Sequence, residues 1–274
     1  MDPQLTEELI ALTRKAGDAI LQIYRTDFEV TLKTDASPLT QADLAAHRII
    51  EEGLQKLTPE IPLLSEESQP PAYSIRQTWP RYWLVDPLDG TREFVNKNGE
   101  FTVNIALIEN HEPTFGVVGV PVQSLVYTGD IERGALRHDA DGSVRLTGRT
   151  MAQGNAVVVV ASRSHGGDRL ENYIESLGEC FGTVSRTPVG SSLKLCILAE
   201  GAADLYPRLG PTSEWDIAAA HAVLLAAGGA LWAVDGSRLE YNRKESFLNP
   251  EFFAVADGAF AWKQALPAVP AQAD

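Results

Sequence analysis

The 274-residue chain carries 23 Lys and Arg against 37 Asp and Glu, a formal charge of −14, which argues against a nucleic-acid backbone as partner. Its apolar (44%) and charged (22%) fractions are those of an ordinary soluble globular protein, and no apolar run approaches the roughly eighteen residues of an integral membrane span. Met1-Asp2-Pro3-Gln4 lacks the basic-then-apolar layout of a signal peptide, and Cys180 and Cys196, both in apolar contexts, read as buried thiols of a cytosolic protein.

Along the chain, Leu5, Leu9, Leu12, Ala16, Ala19 and Ile23 give residues 3–25 helical spacing, with Asp2 placed to cap the helix and Pro3 in its first turn. Residues 35–39 break the pattern, and 41–57 read as a second helix through Leu44, Ile50, Leu54 and Leu57. Phe101, Val103, Ile105 and Leu107 alternate as a half-buried strand over 101–108. Segments 114–120 and 124–128 continue a meander through Pro121, whereas 130–153 has the look of an insertion and supports no site. From 156 the rhythm changes to strand 156–161, helix 168–177, strand 182–186, helix 191–200, strand 203–206, helix 216–227 and strand 230–234. The Pro/Ala-rich tail from Gln264 reads as disordered. Two halves are expected, an α+β half over 1–155 and an α/β half over 156–274.

The most informative stretch is Trp83-Leu84-Val85-Asp86-Pro87-Leu88-Asp89-Gly90-Thr91. An apolar strand ends in two carboxylates, Pro87 stiffens the turn between them, and a helix can begin at Gly90-Thr91. Carboxylates at the mouth of a buried strand are costly unless a cation neutralises them, and hard divalent ions take such oxygen ligands together with substrate phosphates. Amides at the helix start face whatever anion the metal holds. The pattern points to metal-assisted phosphoryl transfer, which also answers how so acidic a chain could receive an anionic substrate.

Other acids fall at comparable places. Glu66 and Glu67 close a short apolar run, where a solvated turn is the bland alternative. Asp43 lies in Thr40-Gln41-Ala42-Asp43, which reads equally as a capping box. Asp216 opens a helix and could simply cap it. Trp83 and Trp215, beside these acids, read as core packing.

Together these segments resemble a known family. Asp86-Pro87-Leu88-Asp89-Gly90-Thr91, Ser65-Glu66-Glu67 upstream, and Trp215-Asp216-x-Ala218-Ala219 with Ala227-Gly228-Gly229 downstream resemble the lithium-sensitive, magnesium-dependent phosphatases of the inositol monophosphatase superfamily. The run from Asn98 to Leu107, and Asp35-Ala36-Ser37-Pro38-Leu39-Thr40-x-Ala42-Asp43, resemble its bacterial 3′(2′),5′-bisphosphate nucleotidase branch, the CysQ type, although Leu39 stands where Val is commoner.

The resemblance implies a layered α/β/α/β/α sandwich of the sugar phosphatase type and two Mg²⁺ ions, with a third, weaker one in some states. It implies Glu66, Asp86, the Leu88 carbonyl, Asp89 and Asp216 as metal ligands, with Asp86 bridging. Asp43 and Thr91 would orient the attacking water, and Gly90 and Thr91 would meet phosphate oxygens. Gly190-Ser191-Ser192-Leu193-Lys194 itself reads as the start of a helix, so that its amides, that of Ser191 among them, and Lys194 would hold a 5′-phosphate. Arg208 would approach the sugar or base, and His165 the base or ribose; the alternatives are a surface loop for Arg208, a solvated helix face for Lys194 and a structural histidine for His165. The expected reaction is removal of the 3′-phosphate of adenosine 3′,5′-bisphosphate, with its sulfated precursor as a related substrate. An inositol monophosphatase or fructose-1,6-bisphosphatase-like activity is the alternative, and a non-catalytic phosphate or metal sensor a further one. The expected partner is a small phosphorylated nucleotide and not a nucleic-acid polymer. The expected location is cytoplasmic, with peripheral association with the inner membrane and the oligomeric state left open.

Overall fold

The computed structural model describes residues 1–26, 30–32, 38–152, 154–162 and 167–270. Helix α1 (Pro3–Tyr24) begins where the Asp2 carboxylate accepts the amides of Gln4 and Leu5, with Pro3 at a position that needs no N–H donor. A short ribbon, β1 (Val30–Leu32) paired antiparallel with β2 (Pro38–Thr40), leads into α2 (Gln41–Leu57). The two helices lie against each other and bury Leu9, Ala16, Ile20, Ala46 and Ile50 on one face of a large sheet.

That sheet has seven strands in chain order. They are β3 (Leu63–Ser65), β4 (Arg81–Asp89), β5 (Thr102–Glu109), β6 (Glu112–Val120), β7 (Leu125–Asp130), β8 (Gly134–Asp139) and β9 (Gly142–Leu146). β3 runs parallel to β4 and every other neighbour is antiparallel. Short helices α3 (Tyr73–Arg76) and α4 (Thr91–Val95) flank β4, and a 3₁₀ turn, Pro121–Gln123, joins β6 to β7. The second sheet, in the order β11-β10-β12-β14-β13, uses β10 (Val157–Ser162), β11 (Val184–Val189), β12 (Leu205–Arg208), β13 (Ala230–Ala233) and β14 (Phe252–Val255). β10 is parallel to β11 and β12, while β14 returns antiparallel between β12 and β13. Helices α5 (Gly167–Phe181), α6 (Leu193–Ala199), α7 (Glu214–Ala226) and α8 (Trp262–Ala265) complete the chain.

Side-chain alternation sorts the layers, because neighbours along a strand face opposite ways. On β4, Trp83 and Val85 face α1 and α2, while Tyr82 and Leu84 face α6 and α7. On β10, Val160 faces that same central helical layer, and Val157 and Val159 turn outward to Tyr173 and Leu177 of α5. The order is helix, sheet, helix, sheet, helix, the five-layered sandwich expected from the motifs. Helix α7 presses close to the large sheet. A Cβ added at Gly116 would stand 2.1 Å from the Ala219 carbonyl oxygen, and one at Gly129 would stand 2.3 Å from the Val223 Cα.

Several expectations change. Strand β5 is buried on both faces, because α7 covers the Thr102, Asn104, Ala106 and Ile108 side that alternation alone leaves to water. The insertion-like segment supplies β8 and β9, whose exposed edge explains its polar sequence. β11 begins two residues later than expected, and β14 was not anticipated. The described part of the tail, from Gln264 to Pro270, is not the disordered segment expected, and the Pro270 carbonyl accepts the Arg169 Nε at 2.7 Å. Cys196 is buried, but Cys180 is exposed on α5 and so is not the buried thiol expected. Among the described residues no helix is long and apolar enough to cross a membrane.

Candidate active site

The carboxylates collect where β3, β4 and α7 end or begin. Asp86 and Asp89 both belong to β4, whose pairing with β5 slips by one residue between them. Pro87 lies within that slip, offering no N–H to the ladder, and the Asp86 Oδ1 accepts the Leu88 amide at 3.0 Å. Gly90 then takes a left-handed φ of 86°, which turns the chain into α4 with Thr91 as its first residue. Glu66 follows β3, its amide bonded to the Val85 carbonyl at 3.1 Å. One ligand oxygen from each of Glu66, Asp86 and Asp216 lies within 4.8 Å of the others.

Asp43 forms the capping box expected of it, whereas Asp216 serves α7 from inside the first turn rather than as the cap. Asp43 is the third residue of α2, and its Oδ2 accepts the Thr40 amide at 2.8 Å and the Thr40 hydroxyl at 2.6 Å. Its Oδ1 is left 3.4 Å from the Thr91 Oγ1, which also lies 3.3 Å from the Leu88 carbonyl oxygen. Asp216 is likewise the third residue of α7, not its cap; Ser213 is the cap and donates its amide to Asp216 Oδ2 at 2.9 Å. One oxygen of each carboxylate therefore serves the helix end.

Burial pushes the Asp86 carboxyl well above its ordinary range, and the charges of Glu66, Asp89 and Asp216 push the same way. Asp216 is raised by burial and then by Asp89 and Glu66. Asp89 is raised to about 6 by burial, against the opposing pull of Lys194 and the Ser192 amide. Such a cluster repels itself, and an all-oxygen, multiply anionic donor set suits a hard divalent cation. The residues present fit a metal site.

A cavity of about 270 Å³ opens beside it, lined by Asp89, Thr91 and Asp216 together with Ser191, Lys194 and Arg208. Lys194 is buried, not on a solvated helix face. Its ammonium donates to the carbonyls of Val189 (3.2 Å) and Ser191 (2.7 Å) and stands 5.5 Å from the Tyr206 ring centroid. Burial lowers it to about 8, with Asp89 acting in the opposite direction. Arg208 is half-buried, and its Nε donates to the Gly210 carbonyl at 3.1 Å. Ser191 holds a φ of 47°, a conformation that non-glycine residues adopt only when their surroundings impose it.

The structure therefore brings Asp43, Glu66, Asp86, Leu88, Asp89, Gly90, Thr91 and Asp216 together, with Ser191, Lys194 and Arg208 in the lining of the adjoining cavity. His165 and Asp35-Ala36-Ser37 lie outside the described residues. Trp83 is fully buried, its Nε1 bonded to the Thr58 hydroxyl, as a core residue is, whereas Trp215 is only partly buried and packs on Phe247 at the core's edge. Thr102, Asn104 and Ser192 gather behind Asp89. The Ser192 amide, expected among those meeting a 5′-phosphate, donates to Asp89 Oδ2 instead. Thr102 and Asn104 were assigned no role from the sequence. Their signal was present, since two polar residues share one face of an otherwise apolar strand.

Residues 2–264 match the inositol monophosphatase family model. The 3′(2′),5′-bisphosphate nucleotidase CysQ of Salmonella typhimurium is 50% identical over 250 residues, 90% of this chain and 98% of that one. Its Escherichia coli counterpart is 48% identical over the same shares of both chains. The crystal structure of CysQ from Bacteroides thetaiotaomicron, described as a bacterial member of the inositol monophosphatase family, has a TM-score of 0.81 at 40% identity and covers 92% of this chain and 97% of that one. With its five-layered sandwich and clustered carboxylates, the chain belongs to the inositol monophosphatase family of metal-dependent phosphatases.

Proposed function

We propose that this protein is a magnesium-dependent 3′(2′),5′-bisphosphate nucleotidase that converts adenosine 3′,5′-bisphosphate to AMP and phosphate. The observation that carries the reading is one cavity, beside the Glu66, Asp86 and Asp216 cluster, whose lining joins the carboxylates of Asp89 and Asp216 to the cationic side chains of Arg92, Lys194 and Arg208. A substrate with a reacting phosphate and a second, remote phosphate matches that mixture of charge. The relatives named as nucleotidases, similar over nearly their whole length, support the same choice over an inositol phosphate.

Glu66, Asp86, Asp89 and Asp216, with the Leu88 carbonyl, would hold two Mg²⁺ ions, and a third, weaker ion would sit toward Asp43 and Thr91. Bound there, the ions neutralise phosphoryl charge and lower the pKa of water. The protein's own part is positional. The Thr91 hydroxyl, with Asp43 Oδ1 behind it, orients the attacking water in line with the 3′-oxygen, whose bond to phosphorus breaks as the water's bond forms. The attacking water gives up one proton to Asp43 Oδ1 through the Thr91 hydroxyl, the departing 3′-oxygen takes up one from solvent, and the Gly90 and Thr91 amides receive the phosphoryl oxygens. Lys194 and Ser191 hold the 5′-phosphate, Arg208 the sugar or base, and His165 reaches the nucleoside.

Lys194→Ala tests the nucleotide reading. Charged hydrogen bonds are worth about 1.5–3 kcal/mol, so kcat/KM should fall at least about tenfold further on adenosine 3′,5′-bisphosphate than on adenosine 3′-monophosphate. Equal losses on both substrates would assign Lys194 to the support of the Val189 and Ser191 carbonyls and remove it from 5′-phosphate binding.

A further inference from the structure

Asp89 is held from a distant part of the chain. The Ser192 amide, 103 positions away, donates to its Oδ2, and the Thr102 Oγ1 lies 3.4 Å from the same oxygen. Behind that oxygen three side chains close a ring. Asn104 Nδ2 donates to Thr102 Oγ1 at 3.3 Å, the hydroxyls of Thr102 and Ser192 lie 2.8 Å apart, and Ser192 Oγ donates to Asn104 Oδ1 at 2.8 Å. Counting protons orders it. The amide oxygen only accepts, so it takes the Ser192 proton, and the Thr102 proton is left for Ser192 Oγ or Asp89 Oδ2.

All three side chains are buried, Thr102 and Asn104 on a strand whose remaining core positions are apolar and Ser192 at the start of α6. Polar groups there cost more than the aliphatic side chains around them unless every bond is made. The loop they fix is also unusual, since Ser191 stands in the left-handed region and its carbonyl receives Lys194. The torsion that turns a carboxylate about its own axis is soft. An Asp89 with one oxygen pinned presents the other in a single direction before any cation arrives.

We propose that Thr102, Asn104 and Ser192 are positioning residues that aim Asp89 at the carboxylate cluster and lock the Gly190–Ser192 loop to β5. Asp89 and the Ser191-to-Lys194 part of the cavity lining are then held in register through one ring. The role rests on the metal-dependent phosphatase reading above.

The test uses the full chain, stripped of metal, with Mg²⁺ titrated calorimetrically and in turnover. Thr102→Val keeps shape and removes the hydroxyl, and Thr102→Ser restores the hydroxyl without the methyl. Changes to groups that orient metal ligands cost about 10–100-fold in affinity. Thr102→Val should therefore weaken Mg²⁺ binding about tenfold or more and raise the half-saturating Mg²⁺ in parallel, with KM at saturating Mg²⁺ changed less than about twofold. Thr102→Ser should bind as the wild type does. Ser192→Ala, which keeps the amide to Asp89 and removes one oxygen of the ring, should repeat the weakening if Thr102→Val does not fold. Wild-type Mg²⁺ affinity in Thr102→Val, or in Ser192→Ala where that variant replaces it, overturns the proposal, as does a Thr102→Ser variant as weak as Thr102→Val. Wild-type protein that takes up no Mg²⁺ overturns the metal-site reading itself, and the positioning role with it.

Discussion

One oxygen of Asp43 closes the first turn of α2 on Thr40, and the other stands 3.4 Å from the Thr91 hydroxyl. Asp43→Asn separates these two tasks. An amide can keep its oxygen on Thr40 only by turning its NH₂ toward Thr91, which reverses the direction of that hydrogen bond. The helix cap survives and the water-orienting pair does not. Turnover should fall by about a hundredfold or more, in the range of lost general-base catalysis, with KM nearly unchanged. Steady-state kinetics at saturating Mg²⁺ check this; a kcat within about threefold of wild type would mean that Asp43 is only a cap. The same residue shows why a capping motif and a catalytic motif are hard to separate on paper. Thr-x-x-Asp satisfies both demands, and Ser213 with Asp216 repeats the arrangement at α7.

At the scale of elements, α7 is the piece on which both sheets depend, and it reaches the large sheet through glycines. Gly129→Ala would put a methyl 2.3 Å from the Val223 Cα, backbone that no rotamer change can clear. Overpacking of this kind costs about 1–3 kcal/mol or more, so urea unfolding should show a loss of at least that size with the site residues untouched. An unchanged midpoint would mean that α7 lifts from the sheet at no cost. Helices α1 and α2 and strand β4 were legible from periodicity, because each buries one regular stripe or ends in a marked turn. β8 and β9 were not, since an exposed edge leaves them polar. Nor was β14, whose Phe252-Phe253-Ala254-Val255 has no alternation and pairs with strands far from it in sequence. The acids of the site were legible one at a time, from their places at strand ends and helix starts. The clasp of Ser192 on Asp89 was not, because it spans 103 positions.

For the whole molecule, His221 links stability to pH from the central helical layer. Burial, aided by Arg238, lowers it to about 3, and its Nδ1 meets the Tyr241 hydroxyl at 2.9 Å. A depressed histidine is neutral when folded and takes a proton when unfolded below about 6.5, so its contribution is whole above that pH and shrinks as pH falls toward about 3. Between pH 7.5 and pH 5.0, urea unfolding of the wild type should lose about 2 kcal/mol more than that of His221→Gln, a difference that cancels the titration of the carboxylates common to both. Equal losses would place a charged His221 in the folded state. Activity is the larger property of the whole, because it needs the carboxylates and the cationic side chains of the cavity at once. Lithium should inhibit, as the resemblance implies, and full turnover in tens of millimolar lithium would set the protein apart from the lithium-sensitive members. The most direct measurement is phosphate release from adenosine 3′,5′-bisphosphate and from inositol 1-phosphate by one preparation, with Mg²⁺ and with chelator. With Mg²⁺, kcat/KM for the nucleotide should exceed that for the inositol phosphate by at least about tenfold, the least that one charged contact to a second phosphate contributes, and chelator should abolish both activities. Equal or reversed preference, or turnover that persists without a divalent cation, would contradict a metal-dependent bisphosphate nucleotidase.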